Sequence, residues 1–111
     1  MKHVGQPESA LRARLAATRN IPAASTFKSL DIAERTLYAA LKANRSAIET
    51  WARLARPGST KSFEYISHEV VGHGVVRATN LLTQTKKVTF VLKMQTYNGK
   101  LYYILTAFPS F

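Results

Sequence analysis

Few side chains in this sequence can do chemistry near neutral pH. The chain holds three histidines, no cysteine and only six acids. Two histidines fall in the run Ser67-His68-Glu69-Val70-Val71-Gly72-His73, which invites comparison with a zinc-protease helix. That chemistry needs two imidazoles four residues apart on one helical face, with the glutamate between them as general base. His68 and His73 are five apart, which on a helix would separate them by about 140°. On a strand, an odd spacing sends them to opposite faces. With no thiolates and few acids to complete a ligand set, no metal site is expected. Scattered acids also exclude hydrolysis built on bound magnesium. A glycine-rich phosphate loop, a serine nucleophile elbow and a carboxylate pair are all missing from the sequence, and no cofactor is expected.

The remaining candidates are more widely spread. His73 lies between Gly72 and Gly74, glycines that either mark a β-bulge or admit a substrate backbone, and the bulge is the favoured reading. His3 stands ahead of Pro7, where a terminus ordinarily frays. Arg12, Arg14 and Arg19 belong to a first helix whose apolar stripe is Leu11, Leu15 and Thr18. At 3.6 residues per turn, Arg14 lies about 65° from the stripe centre and Arg12 about 95°. Arg14 is therefore a boundary residue whose guanidinium can emerge beside the core. Guanidinium suits a phosphate that gains charge during reaction; the plain alternative is a solvated helix charge.

These residues need elements to position them. Pro7 and Glu8 suit a helix start, and Asn20 and Pro22 close the segment. Ser25 to Ser29 reads as a polar connection. A longer helix starts near Leu30, with Asp31 and Glu34 at capping-box spacing. Leu37, Leu41, Ile48, Trp51 and Ala55 continue one apolar face, Asn44-Arg45 could split the helix, and Arg56-Pro57-Gly58 ends it. Strands are expected over 63–66, 70–79, 88–95 and 100–108, the last two joined by a two-residue turn at Asn98-Gly99. In that register Lys93 opposes Ile104 and Val91 opposes Thr106. Phe90, Leu92, Met94, Tyr103, Leu105 and Ala107 then form the core face. The other face carries Lys87, Thr89, Lys93, Thr106 and Phe108, with Val91 and Ile104 among them. Such a face is either a partly solvated sheet surface or the wall of a phosphate-binding cleft, with Lys87, Lys93 and Phe108 touching substrate. One α+β domain over 1–111 follows: two N-terminal helices within 7–56, then an antiparallel meander within 61–108.

Charge narrows the partner. Sixteen Lys and Arg against six acids give a net +10, which calls for an anionic partner such as nucleic acid, an acidic protein or an anionic membrane. No apolar run is long enough for a membrane-spanning helix, and no apolar stretch after Lys2 suggests a signal peptide. The absence of cysteine makes the fold independent of disulfides.

Several short pieces, taken in order, resemble a known family: His3-Val4-Gly5, Leu11-Arg12-Ala13-Arg14-Leu15, Ala24-Ser25-Thr26-Phe27 ahead of Ala33-Glu34, Ile48 with Trp51, Val71-Gly72, and Tyr103-Ile104-Leu105-Thr106-Ala107-Phe108-Pro109. Together they resemble the bacterial ribonuclease A-like toxin domain at the C-terminus of CdiA-type contact-dependent growth-inhibition proteins. The resemblance implies a ribonuclease A-like fold without disulfides, with N-terminal helices and a curved antiparallel sheet. It also implies metal-independent cleavage of RNA through the substrate's 2′-hydroxyl, with His3, Arg14 and Thr106 as catalytic residues. An imidazole of ordinary pKa near 6.5 suits proton transfer, and a guanidinium suits the charged transition state. The family's tyrosine two residues after the threonine falls on Phe108, so a phenolic role is lost while ring packing or base stacking persists. The second proton transfer is open among His68, His73 and a mechanism that uses no second histidine. Further implications are delivery within a larger protein into a target cell's cytoplasm, a monomeric toxin, and a cognate acidic immunity protein. Two rival readings stand beside this one: a non-catalytic nucleic-acid-binding module, and a toxin ribonuclease of the barnase/colicin-type fold.

Overall fold

A computed structural model describes residues 3–97 and 100–111; the Asn98-Gly99 turn lies outside them. The first helix, α1 (Glu8–Ala17), follows Pro7 and buries Leu11 and Leu15. The next segment, read as a connection, is a strand, β1 (Ala23–Phe27), whose last four residues are all buried. Its hydroxyls are satisfied in place. Ser25 Oγ donates to the Pro109 carbonyl at 2.7 Å. Thr26 Oγ1 donates to the Phe27 carbonyl and accepts from the Gln6 amide.

The long helical segment is two helices, α2 (Leu30–Ala43) and α3 (Arg45–Leu54), divided at Asn44. Asn44 holds the break, because its side-chain amide donates to the carbonyls of Ala40 and Glu64. Ser29, rather than Asp31, caps α2: its Oγ accepts the Ile32 amide at 3.2 Å, satisfying one orphan donor of the first turn. The amphipathic faces of α2 and α3 bury Leu37, Ala40 and Ile48 against the strands.

Five strands follow: β2 (Thr60–Ile66), β3 (Gly72–Val76), β4 (Leu81–Thr85), β5 (Lys87–Tyr97) and β6 (Lys100–Ser110). They do not make the single sheet expected. Two antiparallel three-stranded sheets form, ordered β1-β3-β4 and β2-β5-β6. The segment 70–79 is shorter than expected as a strand and β4 was not anticipated, because Leu81-Leu82-Thr83-Gln84-Thr85 lacks a buried alternation. Both leucines are exposed.

The β5–β6 register starts as expected, with Val91 opposite Thr106 and Phe90 opposite Ala107. It then shifts, so that Leu92 opposes Ile104 and Lys93 opposes Tyr103, not Ile104. One extra residue on β6, Leu105, is left unpaired, as a bulge requires. Leu105 is consequently 49% exposed instead of core. Past the bulge, Tyr102 replaces Tyr103 on the core side and packs against Trp51 at 6.0 Å between ring centroids.

At Gly72 and Gly74 the ladder is regular on both sides, without a bulge. Nor is the space open to a substrate. A Cβ at Gly72 would fall onto the Thr26 carbonyl and 2.7 Å from the Pro109 ring, and one at Gly74 would meet the Phe111 ring at 2.8 Å. The two glycines let the end of the chain close over β3 and so bring the two sheets together.

Candidate active-site cleft

His3 does not fray. The Phe27 amide donates to the His3 carbonyl at 2.6 Å, and the Gly5 amide donates to the Phe27 carbonyl at 3.0 Å. Val4 thereby forms a parallel bridge with Phe27. Gly5 sits at φ +64°, a turn that a side chain rarely tolerates, and this bend lets the chain leave the bridge and enter α1. His3 is 6% exposed, and its ring lies 5.8 Å from that of Phe108, tilted by 54°.

Arg14 stands on the last turn of α1, exposed. Its neighbour Arg12 is already committed, to Glu8 at 2.8 Å and to the Asn80 side chain at 2.9 Å. Among the described residues no carboxylate pairs with Arg14. Thr106 and Phe108 alternate onto one face of β6, opposite Val91 and Thr89.

These four residues line one cleft of about 660 Å³. Its polar part is His3, Arg14, Ser25, Thr106 and Ser110, and its apolar wall includes Ile21, Pro22, Val76 and Phe111. A smaller recess of about 320 Å³ shares His3, Arg14 and Ser25 and extends to Gln6. An imidazole, a guanidinium and the Thr106 hydroxyl around one space can move a proton, hold an anion and orient it, while the apolar wall can take a flat ring.

Lys87 and Lys93 are not brought to the cleft. Glu64, aligned by the β2–β5 register, takes the Lys87 ammonium at 2.5 Å over a separate depression. Lys93 lies two residues beyond Val91 toward the hairpin end, about 7 Å along the strand, beyond the register shift. His68 is exposed in the loop between β2 and β3, and His73 is half-buried on β3; neither lines the cleft. The described residues contain no group of three or more His, Asp or Glu disposed to hold a metal ion. Sequence reasoning missed Ser110, Phe111, Ile21 and Pro22. Their only signal was proximity in sequence to elements whose packing was not legible.

No helix among the described residues is long and apolar enough to cross a membrane. A solved structure similar to this one is a CdiA-CT/CdiI complex from Y. kristensenii: TM-score 0.86, 24% identity, covering 98% of this chain and 95% of that one. At that identity the likeness speaks for the fold. No curated protein matches significantly. The sequence model of the bacterial CdiA-CT RNAse A domain, however, matches residues 1–109, nearly the full length. This chain belongs to the bacterial CdiA-CT RNAse A domain family.

Proposed function

We propose that this chain is a metal-independent endoribonuclease toxin that cleaves RNA by transphosphorylation. The observation that supports the reading is the single cleft shared by His3, Arg14 and Thr106, which come from distant parts of the sequence. In the proposed reaction the 2′-oxygen loses its proton and attacks the adjacent phosphorus. The bond to the 5′-oxygen breaks, and that oxygen gains a proton. The products carry a 2′,3′-cyclic phosphate and a 5′-hydroxyl. His3 carries one of the two proton transfers. It is the one imidazole among the described cleft residues, and the other transfer is assigned to no side chain. Arg14 holds the phosphate and the charge that grows on its oxygens in the transition state. Thr106 donates a hydrogen bond to a phosphoryl oxygen. Phe108, lacking a phenolic hydroxyl, braces the imidazole through its ring.

The family supports a toxin carried by a larger protein and delivered into a target cell, where RNA is met in the cytoplasm. The basic surface calls for an acidic immunity protein in the producer. The toxin acts as a monomer, since one chain carries every proposed catalytic group.

The test is cleavage of total RNA by purified protein. Cleavage should survive excess EDTA and leave cyclic phosphate ends. His3→Ala should lower the rate by about 10²–10⁴ with RNA affinity nearly intact, whereas Lys42→Ala, on the exposed side of α2, should change little. Equal rates for these two variants, both folded by circular dichroism, would remove His3 from the reaction. Full loss on chelation, restored by a divalent ion, would replace the mechanism.

A further inference from the structure

The segment between α1 and β1 has no regular structure of its own, yet Ile21 and Pro22 form part of the cleft wall. What holds it is Arg77, the first residue after β3. The Arg77 amide donates to the Pro22 carbonyl at 2.9 Å. Its Nε donates to the Ile21 carbonyl at 3.0 Å, and its Nη2 donates to the carbonyls of Leu15 at 2.8 Å and Thr18 at 2.7 Å. One residue thus grips four carbonyls across 15–22. The Leu15 carbonyl belongs to the last turn of α1, where acceptors lack intrahelical partners and a cation is favoured. A planar fork can span several carbonyls at once, whereas an ammonium is a single point of charge. Nearby, Arg12 ties α1 to Asn80 in the same β3–β4 turn, and Asn80 adopts φ +58°.

Arg77 is not itself among the cleft-lining residues. Its grip acts on the turn of helix that carries Arg14, one residue before Leu15. We propose that Arg77 is a positioning residue: it fixes the end of α1 and the 18–22 segment, and so sets where the Arg14 guanidinium stands relative to His3 and Thr106. This rests on the reading of Arg14 as the phosphate-holding group.

A double-mutant cycle tests it, using wild-type, Arg14→Ala, Arg77→Lys and the double variant on a short RNA oligonucleotide. All four are assayed where circular dichroism shows them folded, well below each variant's Tm. Arg77→Lys keeps the charge and the stem but loses the fork. It should lower kcat by about 10- to 100-fold, as displacement of a catalytic group does, with KM changed less. In the Arg14→Ala background the same change should cost no more than about twofold, because residues acting through one another are not additive. A wild-type rate for Arg77→Lys, with Arg14→Ala impaired, would overturn the positioning role alone. So would an equal loss in both backgrounds, which marks general loosening of the fold. A wild-type rate for Arg14→Ala would overturn the reading of Arg14 and this proposal with it.

Discussion

Two arginines on the same helix have different fates, and the difference is chemical. Arg12 satisfies Glu8 and Asn80, while Arg14 faces the cleft with no carboxylate partner among the described residues. A guanidinium left without a counter-charge beside an imidazole is suited to receive an anion from outside. Arg14→Ala should therefore weaken RNA binding and lower kcat/KM together, unlike His3→Ala; binding to uncleaved RNA and steady-state rates separate the two effects. Thr106→Val keeps shape and strand preference and removes only the hydroxyl. Its expected loss is about tenfold in kcat, the worth of one hydrogen bond of roughly 1–1.5 kcal/mol, and an unchanged kcat would strip Thr106 of its proposed contact. Helical periodicity alone put Arg14 at the border of an apolar stripe. Nothing local put Lys87 beside Glu64, because that pairing depends on how β2 aligns with β5.

Among the elements, the helices were easier to read than the strands. Leu37 and Ile48, both on the face read from the sequence, are buried, and Leu41 and Trp51 pack beside them partly buried, since a helical period survives any tertiary arrangement. β1 was illegible because Ala-Ala-Ser-Thr-Phe is short and partly polar, and its burial depends on hydroxyl acceptors supplied by the Pro109 carbonyl and by its own Phe27 carbonyl. The hairpin was half legible. Its register at Thr106 is the expected one because two shifts, between Tyr97 and Met94 and between Leu92 and Val91, offset each other; the stretch between them puts Tyr102 on the core side, and the bulge leaves Leu105 in solvent. The bridge that seats His3 depends on Gly5 at φ +64°, where a Cβ meets no other atom and the cost is backbone strain alone. Gly5→Ala should therefore cost about 1–2 kcal/mol, concentrated in the His3–Gly5 segment. The Phe27 amide, which donates to the His3 carbonyl, should exchange its hydrogen faster, and RNA cleavage should fall while Tm moves only a few degrees. Unchanged exchange at Phe27 would show that the bridge does not need the bend.

At the scale of the whole molecule, a net charge of +10 sets the terms of association. An acidic immunity protein should dock at a rate that falls at least tenfold as salt rises from about 0.01 to about 0.15 M, since the screening length shrinks from about 30 to about 8 Å. Stopped-flow association at several ionic strengths measures this directly, and a rate indifferent to salt would mean that charge does not guide the encounter. Beyond charge, the closure of the chain end over Gly72 and Gly74 has a consequence in time. The proposed site draws on residue 3 and on residues 106–111, so it joins the first and last parts of the described chain across nearly its full length. Contacts of such sequence separation form slowly, since the closure entropy comes before the reward. A polypeptide still emerging from a ribosome, or threaded in extended form through a narrow passage, has both halves of the cleft apart and no cleft at all. On the proposed reading, cleavage would begin only once residue 3 and residues 106–111 can meet, so the domain would do no harm while nascent or extended.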